Sequence, residues 1–415
     1  VAGPFLAYYF YNISVIGFFT NLLVVPLVSV ILISGLISGI IGLLLTPLGS
    51  AFVRVPGFLL STVEKIILVS SKLPFTTIVV PAMPPISIAF YFASLALVFD
   101  LVPFSDKVQL KRKKICAAVL IVFSLIPAIL PFGAFEVTFI DVGQGDSILI
   151  QTKGKKAILI DGGGTPPYYS GDFDTGEDII LPFLYSKGIK KIDAVVFTHF
   201  DDDHAKGLLS ILKSMKVKNI IFGVSEDCTI YKEMLEIARQ KQIEIIRVGR
   251  GDQFTIDNVT FDVLNPVKNA KKNYSSNDGS VVLKMNYKDI SFLFTGDLEY
   301  EGEQDLISSG IDIGAHVLKI GHHGSHTSTS EEFLSKVKPS YGIISAGMDN
   351  NFGHPSPQVI DLMKNSGVTV LRTDLSGAVS FKISGRSVKI YTSIPEELKN
   401  HEKSNSFLRR RKAFD

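Results

Sequence analysis

The sequence predicts an all-α transmembrane region followed by an α/β domain, and two contrasts along its 415 residues carry that prediction. Residues 1–53 contain no Asp, Glu, Lys or Arg, whereas residues 136–415 have the mixed composition of a soluble protein. From Phe135 onward, short β-rich runs alternate with helix-like stretches, the pattern of a sheet flanked by helices. The expected organisation is a polytopic transmembrane region over 1–134, an α/β domain over 135–393 and a basic, mobile tail over 394–415. Lys plus Arg number 42 against 40 Asp plus Glu, so overall charge names no partner. The two cysteines, Cys116 and Cys228, fall in different halves and imply no disulfide framework. The first residue is Val, which is the expectation for a fragment of a longer chain.

In the front third, Asn21 to Leu45 is apolar over more than the ~20 residues that cross a hydrocarbon core. Ile86–Val102 and Ile115–Pro131 are further spans, and Phe5–Phe19, with Asn12 and Ser14 inside it, is a fourth. Lys107, Lys111, Arg112, Lys113 and Lys114 form a basic loop between the last two spans, which the positive-inside rule places in the cytoplasm. The segment after Gly133 then lies on the extracytoplasmic side. Pro26 and the Gly35, Gly39, Gly42 series mark a helix that bends and admits close neighbours. Gly57–Val69 groups its polar residues on one helical face and suits the membrane interface. Pro74–Pro85 reads as a connection.

In the back two thirds, strands are expected at 137–140, 148–151, 157–160, 194–197, 220–222, 243–248, 259–263, 281–285, 290–294 and 317–320. Helices are expected at 179–185, 205–215, 231–240, 300–308, 331–337 and 357–365. Four of these strands end in metal-ligating residue types. Leu159-Ile160-Asp161 runs into three glycines, and Val195-Val196-Phe197 leads to His199-Phe200-Asp201-Asp202-Asp203-His204. Phe292-Leu293-Phe294 leads to Asp297, and Leu318-Lys319-Ile320 leads to His322 and His323. Imidazole and carboxylate are the donors that suit Zn or Mn, and such a density of them is costly without a cation. The alternative for any one of these segments is an acidic surface loop or a capped turn. Delivery of polar residues to one sheet edge four times favours a shared metal site.

These motifs carry a resemblance. Residues 136 to about 393 resemble the metallo-β-lactamase fold, an α/β/β/α sandwich with a binuclear metal centre. Asp141-Val142-Gly143-Gln144-Gly145-Asp146-Ser147, the His-x-Asp-x-Asp-His run, Thr295-Gly296-Asp297 and Lys319-Ile320-Gly321-His322-His323-Gly324-Ser325 resemble the ComEC-like competence DNA-internalisation proteins. In that family the hydrolase fold follows a polytopic channel, and the stretch from Asn21 to Leu27 resembles the later part of the channel. The resemblance implies two divalent ions, Mn or Zn. His199 and Asp201 would hold one, Asp203, His204 and His323 the other, and Asp297 would bridge them. Asp201 stands where the fold commonly has His, and the usual third histidine of the first site has no equivalent near Asn277–Ser280. Asp161 would orient a ligand imidazole, and Glu299 would hold Lys319 or a ligand.

The reaction this implies is hydrolysis of a phosphodiester, the ions acidifying water and countering charge on the phosphate. Asp203, His322 and Lys319 are its expected catalytic groups, the last two facing phosphate oxygens. Gln144, Asp146, Asn277, Ser280, Ser325, Ser328 and His354 are expected to contact substrate at the rim. The function implied is DNA uptake, one strand being degraded by an external nuclease domain while the other is translocated. DNA, membrane lipid and other competence-machinery proteins are the implied partners. The alternatives are a membrane-anchored phosphodiesterase acting on a small or envelope phosphodiester, and a DNA-binding channel without hydrolysis.

Overall fold

The computed structural model describes residues 3–73, 76–101, 107–129, 134–164, 173–268, 275–385 and 387–394, with the side chains of 107–110 and 127–129 excluded. The tail expected over 394–415 lies, but for Ile394, outside the described residues. Two compact units are present: residues 1–131 with 185–188, and residues 132–184 with 189–415.

The first unit is helical: Gly3–Phe10, Val15–Leu44, Thr46–Phe52, Arg54–Ser71, Pro85–Val98 and Lys107–Ile129. Among the described residues, only Val15–Leu44 is both long and apolar enough to cross a membrane. Its 30 residues rise about 45 Å. The helix passes through Pro26 without ending, and the hydroxyls of Ser29, Ser34 and Ser38 return to carbonyls four residues earlier. Gly42 does admit a close neighbour: a Cβ on Gly49 would stand 2.3 Å from the Gly42 Cα.

Several expectations are revised here. The span Phe5–Phe19 does not exist as one helix, because Tyr11 turns at φ 54° and Asn12–Ser14 is a strand. That strand pairs antiparallel with Thr77–Val79, inside the stretch expected to be a plain connection. Lys111, Arg112, Lys113 and Lys114 belong to the helix Lys107–Ile129 rather than to a loop. Pro85–Val98 has 14 residues, about 21 Å of rise, short of a ~30 Å hydrocarbon core. The stretch from Gly57 to Val69, by contrast, is helical as its spacing predicts, within Arg54–Ser71.

The second unit is an α/β/β/α sandwich. Among the described residues, one sheet has eight strands in the order Ser387–Thr392, Val379–Ser384, Phe135–Phe139, Ile148–Gln151, Ala157–Ile160, Lys191–Phe197, Lys216–Phe222, Glu244–Arg247. The other has seven, ordered Thr369–Arg372, Tyr341–Ile344, Val317–Lys319, Ile290–Phe294, Val282–Tyr287, Val259–Asn265, Gln253–Ile256. Their facing sides share one core, from Phe135, Phe139, Ile158 and Ile160 on the first sheet to Phe261, Phe292, Phe294 and Val317 on the second. Side-chain alternation sorts the layers. Phe292 and Phe294 enter the inter-sheet core, while Leu293 between them joins Leu306, Phe333 and Met363 under the outer helices.

Both sheets change from antiparallel to parallel pairing partway across. Ala157–Ile160, Lys191–Phe197 and Lys216–Phe222 run parallel, as do Ile290–Phe294, Val317–Lys319 and Tyr341–Ile344. Parallel neighbours need crossover connections, so their carboxyl ends share one edge, where loops are free to carry chemistry. The motifs carrying Asp161, His199–His204, Asp297 and His322–His323 each leave one of these parallel strands.

Candidate metal centre

The aspartate-rich loop is fixed from below by backbone. Helix Asp202–Ser214 starts immediately after Phe197–Asp201, with Asp202 and Asp203 in its first turn, where its partial positive charge favours carboxylates. The glycine loop before Asp146 packs directly on it. Asp146 N–H donates to the Asp203 carbonyl at 3.2 Å, and a Cβ on Gly145 would stand 2.2 Å from that same oxygen. No side chain fits there, which is why the Gly-Gln-Gly-Asp sequence is needed.

Four groups converge in front of this loop. His204 Nε2 lies 3.1 Å from Asp297 Oδ1 and 3.3 Å from His323 Nε2. His323 Nε2 lies 3.1 Å from Asp203 Oδ2 and 3.3 Å from Asp297 Oδ2. The rear nitrogens are both engaged: His204 Nδ1 with Asp161 Oδ2 at 2.9 Å, and His323 Nδ1 with the Ser345 carbonyl at 3.0 Å. Each therefore donates from Nδ1 and turns Nε2 toward the cluster, the nitrogen that ligates a metal once its proton has left.

Asp146, His204, Asp297 and His323 also form a tight buried group. Asp146 approaches the rear edges of the imidazoles, however, at 3.6 Å from His323 Nδ1 and 4.0 Å from His204 Nδ1. It also pairs with Lys319 Nζ at 2.7 Å. Asp203, on the Nε2 side, is the better fourth donor.

His199 stands beside this group, its ring centroid 4.2 Å from that of His204. Thr198 Oγ1 donates to Asp161 Oδ2 at 2.7 Å, so its lone pair is left to accept from His199 Nδ1 at 3.0 Å. Asp161 thus orients two imidazoles, one directly and one through a hydroxyl. His199 Nε2 is buried without a hydrogen-bond partner, whereas Asp297 Oδ1 has His204 Nε2 3.1 Å away. An unpartnered buried nitrogen is costly, and a divalent cation satisfies it. Asp201 Oδ2 lies 3.6 Å from His199 Nε2 on the exposed side, and Ser276 bonds Asp201 and Glu226 at 2.9 and 3.1 Å. Burial raises the Glu226 carboxyl. Glu226 escaped the sequence reading because it follows no apolar run directly; its only signal is an acidic residue shortly after the strand Lys216–Phe222.

The ion-free electrostatics point the same way. Burial is the largest influence on His323 and opposes its charge, yet Asp297, Asp203 and Asp146 raise it to about 10. His204 is raised well above its usual value by Asp297, Asp161 and Asp203, also against burial. Asp297 and Asp203 are held well below the carboxylate range by the two imidazoles, again against burial. The pairing with His199 lowers Asp201. Two protons on two imidazoles stand in for the charge of a divalent ion, and the donor set of imidazole nitrogen and carboxylate oxygen fits one.

Other expected site residues are placed differently. Lys319 is wholly buried, its Nζ bound by Asp146 and by the Ile320 carbonyl, so it neutralises Asp146 and does not face substrate. Glu299 holds His322 Nδ1 at 3.1 Å and Thr327 Oγ1 at 2.5 Å, not Lys319. His322 keeps a quarter of its side chain exposed and points Nε2 toward Asp297 Oδ2 at 3.8 Å. Gln144, Asp146, Ser280, Ser325 and Ser328 are buried, so they are not a rim. Gln144 accepts from Gly347 N–H, Ser280 Oγ from Asp297 N–H, and Ser328 donates to the Gly321 carbonyl. Ser325 Oγ meets the Thr327 hydroxyl. Of the seven, Asn277 and His354 keep open surface. Burial, then the facing His323 and His322, press His354 down to about 4.

Residues 140–347 match the family model of the metallo-beta-lactamase superfamily, and residues 1–103 match that of the competence protein family. The chain is 34% identical to ComE operon protein 3 of Bacillus subtilis over 92% of its own length and 50% of that protein. It is 33% identical to competence protein ComA of Neisseria gonorrhoeae over 63% of its length and 34% of ComA. With recombination protein 2 of Haemophilus influenzae it shares 32% identity over 59% of its length and 28% of that protein. The chain spans half the length, or less, of these relatives. With its sandwich and its strand-end His and Asp residues, and with a region matching the competence protein family ahead of them, the chain belongs to the metallo-beta-lactamase superfamily.

Proposed function

We propose that this chain is the hydrolase-bearing part of a multi-pass membrane machine for DNA uptake. Its sandwich lies on the extracytoplasmic side and cuts phosphodiester bonds of one DNA strand while the other is translocated. The observation that carries this reading is the meeting of Asp203, His204, Asp297 and His323 around one point, with His199 Nε2 left open beside it. The competence-type region and the basic run Lys111–Lys114 support the membrane setting and its orientation.

Two divalent ions, Mn or Zn, which His199, Asp201, Asp203, His204, Asp297 and His323 would hold, would acidify water and counter charge on the phosphate. The chain's own groups do the rest. Asp161 and the Ser345 carbonyl hold His204 and His323 in one tautomer, and Thr198 does so for His199. Glu299 accepts a hydrogen bond from His322 Nδ1, which orients a side chain that stays a quarter exposed and turns its Nε2 toward Asp297 at the edge of the site. Lys319 pairs with Asp146 behind the imidazoles.

The full chain in detergent, supplied with Mn, is expected to degrade single-stranded DNA. Asp203→Ala should reduce the rate by at least ~100-fold, since loss of even an outer partner of a metal ligand costs 10–100-fold. Metal-loaded wild type that leaves DNA intact and yet hydrolyses bis(4-nitrophenyl) phosphate would move the substrate to a small phosphodiester.

A further inference from the structure

Beside the metal centre, the loop between the strand Tyr341–Ile344 and the helix Pro357–Asn365 carries a large exposed aromatic ring. Phe352 is 57% exposed, although it belongs to the well-packed unit. Its ring stacks on His354, with centroids 5.9 Å apart and planes 24° from parallel. His354 in turn lies 5.4 Å from the His322 ring and 6.4 Å from the ligand imidazole of His323. A continuous file of rings therefore runs from the ligands to solvent: His323, His354, Phe352.

The loop is built to hold this file still. Asn350 Oδ1 accepts from Phe352 N–H at 3.2 Å and His354 N–H at 3.1 Å, while its Nδ2 donates to the Gly347 carbonyl at 2.8 Å and to the His354 carbonyl. One amide side chain thus fixes the backbone on both sides of the ring. Asp349 and Gly353, at φ 53° and 69°, make the two sharp reversals that present it. The ring thus presents an ordered aromatic face to water beside a charged centre. What suits it is a flat, partly apolar ligand surface covalently joined to a phosphate.

We infer that Phe352, backed by His354, is a stacking platform for an unpaired nucleobase next to the phosphate being cut, so that the site takes single-stranded nucleic acid. This rests on the phosphodiesterase reading above and names its substrate class. A base paired in a duplex is already covered on both faces, whereas every free base has a face to offer such a ring. The phosphate chemistry is then set by the ligands and the strand preference by Phe352.

The test is fluorescence anisotropy with the full chain in detergent. Its probes are phosphorothioate oligothymidylate of about 12 nucleotides, the same backbone without bases, and a duplex, within the usual single-strand site sizes. Wild type is expected to bind the oligothymidylate more tightly than the abasic strand or the duplex. Phe352→Ala should weaken oligothymidylate binding roughly 5- to 150-fold, leaving the abasic strand unchanged, and Phe352→Trp should restore it. Equal affinity of wild type for the base-bearing and abasic strands would overturn the inference, as would a Phe352→Ala protein that keeps the margin. Turnover of bis(4-nitrophenyl) phosphate is read separately. Its absence in wild type would sink the hydrolase reading while the binding margin still judges the platform.

Discussion

The two halves of the candidate metal centre are built with unequal rigour. In the half formed by Asp203, His204, Asp297 and His323, each imidazole has its rear nitrogen tied to a carboxylate or a backbone carbonyl, and His204, Asp297 and His323 are almost wholly buried. In the half formed by His199 and Asp201, the imidazole leans on a hydroxyl, and the carboxylate has nearly half its side chain in water. Carboxylate oxygen replaces imidazole there, and Glu226 stands only at its margin, through Ser276. The difference teaches that preorganisation, more than ligand count, separates the two: the first half is ready for a cation, while the second must be drawn together by one.

Asp161 is the place to break this contrast, because it serves both halves. Asp161→Ala is expected to lower affinity for both ions by about 10–100-fold, measured by metal titration of the detergent-purified chain. Thr198→Val, which removes the relay to His199 and one of the hydrogen bonds on Asp161 Oδ2, should weaken the second ion more than the first. Equal weakening of both ions by Thr198→Val would mean the halves are not separately held.

A smaller effect comes from pH. In the ion-free protein the His323 pKa is raised to about 10, so its proton stabilises the fold fully below the ordinary histidine value of ~6.5. That contribution is lost as pH rises from ~6.5 through about 10, since the folded state there binds more protons than the unfolded. Chelated protein should thus show a falling Tm across this window. Metal-loaded protein should not, because the same protons compete with the ion and their departure strengthens its binding. A flat Tm in the chelated protein would contradict the charge arrangement described.

The strands that lead into the candidate centre are legible in the sequence. An apolar run ending in Asp or His is a local signal, and the strands ending at Ile160, Phe197 and Phe294 were placed from it. What was not legible depends on partners distant in sequence. Lys319 sits on a three-residue strand, and nothing local reveals that it turns inward to Asp146. Gln144, Ser280 and Ser328 look like substrate contacts by residue type, but their polar atoms are consumed by Gly347, Asp297 and Gly321. The hairpin Val379–Ser384 with Ser387–Thr392 was missed because Ser and Lys alternate with its apolar residues, as suits a sheet edge with one wet face. In the helical unit, uniform apolarity hides where helices stop, so a short strand pair at Asn12–Ser14 and Thr77–Val79 left no trace in the pattern.

The central claim is that two imidazoles and two carboxylates wait, charge-balanced by protons, for a divalent ion. Calorimetric titration of the metal-free chain with Mn or Zn at about pH 7.5, in buffers of different ionisation enthalpy, measures ion affinity and proton release together. The account predicts a tight first ion whose binding expels a proton from each of His204 and His323, followed by a weaker second. Binding with no proton release, or no tight ion at all, would contradict it.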